Sequence, residues 1–169
     1  MKRLWTPEEN PYLMMPQPLK FKKKSWILIV SDLPVFAIED YSKVEHMIKP
    51  QIQNENKALH PDCAFVFAQS NTYFFTINVA MNEKGFYYFG YGLYEENSGG
   101  GCYPSSRWRD QKKSSTLRGC LINALNYIKE MSKYHGQPPY PLYVRTATEA
   151  LSKVKTSGVV QLSLFDCFD

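Results

Sequence analysis

Tyr73-Phe74-Phe75-Thr76-Ile77-Asn78-Val79-Ala80-Met81-Asn82-Glu83-Lys84-Gly85-Phe86-Tyr87-Tyr88-Phe89-Gly90-Tyr91-Gly92-Leu93-Tyr94 decides the fold. Two runs rich in aromatic and β-branched residues flank Asn82-Glu83-Lys84-Gly85. Such runs are strand formers, and a connection with a glycine free to take positive φ reads as a hairpin. On a two-residue period Tyr73, Phe75, Ile77 and Val79 share one face, and Phe74, Thr76, Asn78 and Ala80 the other. In the second strand Phe86, Tyr88, Gly90 and Gly92 oppose Tyr87, Phe89, Tyr91 and Leu93.

Upstream, Cys63-Ala64-Phe65-Val66-Phe67-Ala68 supplies a third strand, turned at Ser70-Asn71 into the Tyr73–Met81 run. Ser25-Trp26-Ile27-Leu28-Ile29-Val30-Ser31 reads as a buried strand that Pro34–Ile38 extends or repeats. From Glu39 to Lys57, Tyr41, Val44, Met47 and Ile48 recur at helical spacing, with Pro50 set to end or kink the helix. Downstream, Leu117, Cys120, Leu121, Ala124, Leu125, Ile128 and Met131 make one apolar stripe, so a helix is expected over Ser115–Tyr134. Pro138, Pro139 and Pro141 point to an extended link. The Thr146-to-Glu149 spacing of a capping box precedes a short helix, Glu149–Lys155. The expected class is α+β: an antiparallel sheet in the order β-α-β-β-β-α-α, helices packed on one face, and an extended C-terminal tail or strand. Residues 1–24, with Pro7, Pro11, Pro16 and Pro18, form an irregular arm; 25–158 form one domain; 159–169 are the tail.

The chain has 169 residues and a net charge of +4, mildly basic. That length suits one domain with a proper core. There are 12 Tyr, 10 Phe and 3 Trp, many of them in the stretch quoted above. No apolar run reaches the ~18 residues of a membrane span, and the N-terminus lacks the apolar segment of a secretory signal, so a cytoplasmic protein with no membrane role is expected. Four cysteines do not make a disulfide framework in a chain of this size. Cys63 and Cys120 fall on apolar faces and read as buried thiols.

The last nine residues are Gln161-Leu162-Ser163-Leu164-Phe165-Asp166-Cys167-Phe168-Asp169. The first five resemble, at every position, the Gln-Leu-Ser/Asp-Leu-Phe peptide by which bacterial polymerases, repair proteins and loader subunits dock on the DNA sliding clamp. At average residue usage such a pentapeptide arises in well under about one in a thousand chains of this length. The eukaryotic and archaeal clamp pattern accommodates Gln161, Leu164 and Phe168 but meets Cys167 where it requires an aromatic, so the bacterial form fits better. The resemblance implies a bacterial, phage or mobile-element protein whose partner is the bacterial sliding clamp, contacted by Gln161, Leu162, Ser163, Leu164 and Phe165. The chemistry agrees: two leucines and a phenylalanine are an apolar anchor, each worth roughly 1.5–3 kcal/mol on burial before ordering costs. The Gln161 amide both donates and accepts, fixing register. The alternative is a last sheet strand over Val159–Phe165.

Two basic clusters are candidate nucleic-acid contacts: Lys22, Lys23 and Lys24 near the N-terminus, and Arg107, Trp108, Arg109, Lys112 and Lys113 in a long loop, 95–114. Cations around an aromatic ring suit phosphate contact with base stacking, and an aromatic sheet face left uncovered by helices would add a stacking platform. The loop's glycines do not make a phosphate-cradling motif, because the Gly-Lys-Ser/Thr ending is missing. The bland alternatives are a solvated connection and a sheet covered on both faces. His60-Pro61-Asp62-Cys63 offers metal-ligand types without a second cluster, so no metal and no cofactor is expected. Cys102 beside His60 or His135 is the one nucleophile pairing on offer, and the carboxylates Asp32, Glu39, Asp40, Glu95, Glu96 and Asp110 are scattered. The reading therefore leans away from an enzyme. It points to a replication or repair accessory protein that assists or blocks the clamp, with a single-stranded nucleic-acid-binding module and an interaction protein as the alternatives.

Overall fold

The structure is a computed structural model describing residues 33–55, 57–68, 73–94, 99–105, 113–137 and 139–165, with side chains at 68, 99 and from 157 onward excepted. The expected arm over 1–24 and strand over 25–31 lie outside the described residues. The class is α+β, as expected. Among the described residues six strands form one sheet: β1 (Val35–Phe36), β2 (Pro50–Gln51), β3 (Cys63–Ala68), β4 (Phe74–Asn82), β5 (Tyr87–Tyr94) and β6 (Gly99–Cys102). The helices are α1 (Tyr41–Val44), α2 (Leu117–Lys133) and α3 (Tyr140–Phe165).

The quoted meander is the centre of the sheet. β3, β4 and β5 run antiparallel, with Phe65 opposite Ile77 and Ile77 opposite Tyr91. At the edges the antiparallel expectation is corrected to a mixed sheet. β1 pairs parallel with β3, and β2 pairs parallel with β4 at Met81 and Asn82, next to the stretch that β3 occupies. These pairings are only two residues long and carry no periodic signal.

One sheet face packs under the helices. Cys63, Phe65, Phe67, Phe75, Ile77, Val79, Tyr87 and Phe89 meet the stripe Leu117, Cys120, Leu121, Ala124, Leu125 and Ile128 of α2 and Tyr143, Ala147, Ala150, Leu151 and Val154 of α3 in one cluster. Thr116 caps α2 by accepting from the Gly119 amide at 3.1 Å. Tyr143 ties α3 to the sheet. It is 1 % exposed, its ring stands edge-on to Phe75, and its hydroxyl faces the carbonyl oxygens of Phe74 at 3.2 Å and Tyr94 at 3.0 Å.

Further expectations are corrected. The helix expected over 39–57 is shorter: a 3-10 turn (Ile38–Asp40), α1, and a second 3-10 turn (Glu45–Met47), after which Ile48 is extended. Pro50 disfavours helical backbone in Lys49 before it, and the chain enters β2 instead. The loop 95–114 contains β6, whose three glycines pair with Gly92, Leu93 and Tyr94. From Tyr140 on, the proline link and the short helix are one helix, α3, in which Pro141 occupies the first turn, where its missing N–H costs nothing. Thr146 is no cap: its hydroxyl donates to the Leu142 carbonyl at 2.9 Å, four residues back. Finally, α3 continues through Gly158 to Phe165, so the backbone over 159–165 is helical where an extended tail or strand was expected, and 166–169 lie outside the described residues. Propagating a formed helix adds one hydrogen bond per residue fixed, which offsets the cost of roughly 1 kcal/mol for a helical glycine.

Candidate functional site

The strands of the meander bring together a pocket of about 200 Å³ lined by Gln53, Asn82, Glu83, Lys84, Phe86, Tyr88 and Lys113. Its floor is the β4–β5 turn. The Asn82 side-chain oxygen accepts from the amides of Lys84 at 3.1 Å and Phe86 at 2.9 Å, and Gly85 takes φ +80°, the conformation that favours glycine. This Asx-type turn holds Glu83 and Lys84 at the rim. The pairing of Gln51 with Asn82 delivers Gln53 to one side. A turn beyond it is closed by the Asn54 side-chain oxygen accepting from the Ala58 amide at 2.9 Å. Tyr87 and Ser114 exchange backbone hydrogen bonds, and this bridge sets Lys113 beside Phe86. The Lys113 ammonium lies 4.8 Å from the Phe86 ring centroid, a cation–π contact.

The pocket carries one unmet demand. The Gln53 side-chain nitrogen is buried and has no hydrogen-bond partner among the described residues. Among the described residues, Lys84 and Lys113 have no carboxylate within ion-pair distance.

Of the residues predicted from sequence, Lys113 is the one placed here, exposed at the pocket rim. Lys22, Lys23, Lys24, Arg107, Trp108, Arg109 and Lys112 lie outside the described residues. Gln161, Leu162, Ser163, Leu164 and Phe165 form the end of α3, and their side chains lie outside the described ones. The aromatic platform is not an open surface. Phe74, Tyr88 and Tyr94 are buried on the second sheet face, Phe74 stacked on Tyr94 at 4.6 Å, and Leu59 packs with Ala80 and Tyr88.

The segment around His60 is a structural clasp. The Asp62 carboxylate accepts from the Lys49 amide at 3.0 Å and the Gln51 side chain at 3.2 Å, and Gln51 also donates to the His60 carbonyl at 2.7 Å. Among the described residues no group of three His, Cys, Asp or Glu is placed to hold a metal. Burial, with the Asp62 charge adding to it, pushes the Cys63 thiol up to about 12, and burial also raises Cys120 and Cys102. None of the three is an activated nucleophile. Among the described residues no helix is long and apolar enough to cross a membrane.

No protein-family model, curated protein or solved structure matches this chain. Sequence reasoning missed the pocket because Gln53 lay in an expected helix and Asn82–Lys84 were read only as a connection. The available signal was the Asn-x-x-Gly turn, whose first residue is suited to accept from the amides after it.

Proposed function

We propose that this chain is a non-enzymatic accessory protein of DNA replication or repair, from a bacterium, phage or mobile element, that docks on the sliding clamp through Gln161-Leu162-Ser163-Leu164-Phe165. The observation that carries the reading is the five-position match of that peptide. Tyr143, Ala147, Ala150, Leu151 and Val154 recur at helical spacing and are buried, so the peptide follows an anchored stretch of α3. The two leucines and the phenylalanine of the peptide are the apolar anchor it offers a partner. A DNA-bound partner places the protein in the cytoplasm.

Short clamp peptides bind weakly, so a second contact through the basic residues Arg107–Lys113 and Lys22–Lys24 would raise avidity by effective concentration. The test is binding of the whole chain to an immobilised bacterial clamp, alone and loaded on DNA. Binding strengthened by DNA supports the tether with a second contact. Equal binding to both supports a protein that only occupies the clamp pocket and blocks polymerases. Absence of binding to either sinks the reading. A second reading, a nucleic-acid-binding module without a clamp role, rests on Lys113 and its pocket. It predicts DNA binding that falls steeply with salt and survives deletion of residues 161–169.

A further inference from the structure

We propose that the pocket between Gln53, the β4–β5 turn and Lys113 is a binding site for a phosphate group. The inference stands apart from the clamp reading, because it uses none of the tail.

Three features converge. The first is the buried, unpartnered Gln53 nitrogen. A buried donor without an acceptor is costly, and an oxygen brought in by a ligand would satisfy it. The second is charge. Lys84 and Lys113 line the pocket with no carboxylate within ion-pair distance among the described residues, against the single carboxylate of Glu83. Two lysines against one glutamate leave the pocket lining net positive. The third is preorganisation. The Asn82 turn and the Tyr87–Ser114 bridge fix the backbone on both sides of Phe86, and Phe86 in turn holds the Lys113 ammonium over its ring.

The size and donor set select the anion. The volume is below the range of pockets for drug-sized ligands, so it takes one group rather than a large molecule. A phosphate ester offers several acceptor oxygens, enough to meet the Gln53 amide and both ammonium groups together, whereas a carboxylate has two. Lysine suits such a group as a point charge. The phosphate has two possible sources, a free nucleotide and the end of a nucleic-acid strand, which share this chemistry.

The experiment is titration of the isotope-labelled full chain with inorganic phosphate at constant ionic strength, followed by NMR on the Gln53 side-chain amide. Saturable millimolar binding that moves the Gln53 resonances is expected. Lys113→Gln should weaken it at least tenfold, and Glu83→Gln should tighten it, because the opposing carboxylate is gone. Both substitutions are at exposed positions, so the fold survives them. Deleting residues 159–169 should leave it unchanged. Adenosine monophosphate and a pair of oligonucleotides, with and without a 5′-phosphate, then separate the sources. A preference of tenfold or more for the phosphorylated strand identifies a strand end. Saturation by phosphate and the mononucleotide, with both strands bound alike, identifies a small phosphate ester. Shifts that never saturate, or binding unaffected by Lys113→Gln and Glu83→Gln, would overturn the proposal.

Discussion

Gly100 and Gly101 are adjacent, chemically identical and predicted to respond to the same substitution in opposite directions. At Gly101 an added Cβ lands on the Tyr91 carbonyl oxygen and comes 2.8 Å from the Gly92 Cα, all of it backbone of the neighbouring strand β5. Backbone cannot rotate aside as a side chain can, so β6 must move off the sheet. Overpacking of this kind costs roughly 1–3 kcal/mol. At the size of this chain that lowers Tm by about 2–12 °C. At Gly100 a Cβ meets nothing within 4 Å, and the backbone is outside the left-handed region. Gly100→Ala therefore acts through the unfolded chain, stabilising by roughly 0.4–1 kcal/mol and raising Tm by about 1–4 °C. Thermal melts followed by far-ultraviolet circular dichroism at equal protein concentration decide it. If the glycines formed a solvated loop, as the sequence permits, both variants would melt together. Equal Tm values, or a Gly101→Ala protein as stable as the parent, would refute the placement of β6 on β5.

Tyr143→Phe keeps the ring against Phe75 but removes the hydroxyl facing the Phe74 and Tyr94 carbonyls, so chemical denaturation should show a loss of roughly 1–3 kcal/mol with an unchanged m-value. Glu39 titrates below its ordinary 4.5: burial alone would raise it, but the Lys153 hydrogen bond, a backbone hydrogen bond and the Lys153 charge outweigh that. Its contribution is present above the unfolded value and is lost as pH falls through the lowered one. The stability gap between the parent and Lys153→Met should therefore be present at neutral pH and close in acid below 4.5; a gap independent of pH would remove the pair from the account. Cys63 and Cys120 are buried whereas Cys102 is partly exposed, so in a Cys167→Ser variant at mildly alkaline pH Cys102 alone should react with a thiol reagent, the other two reacting only on unfolding.

What was legible in the sequence was whatever repeats. The strands around Phe65, Ile77 and Phe89 and the stripe from Leu117 to Ile128 carry a period long enough to read, and each appears where expected. What was illegible depends on tertiary pairing. β1 and β2 are two residues each, set by their partners rather than by a pattern. The glycines of β6 read as loop because their strand role comes from close approach to β5. Thr146 and Glu149 have a capping-box spacing, but helix α3 had already begun at Tyr140, and the hydroxyl turned back to Leu142. At the candidate site Lys113 was found from its charge, whereas Gln53 needed the β2–β4 pairing to bring it there.

The most direct test of the clamp reading is fluorescence polarisation of a labelled peptide spanning Val159–Asp169, and of the labelled whole protein, against a bacterial sliding clamp. A control carries Gln161→Ala, Leu164→Ala and Phe165→Ala together. Dissociation constants on the order of micromolar for both, abolished in the triple variant, are the predicted result. Absence of binding by peptide and protein alike, or binding that the triple variant retains, would contradict it.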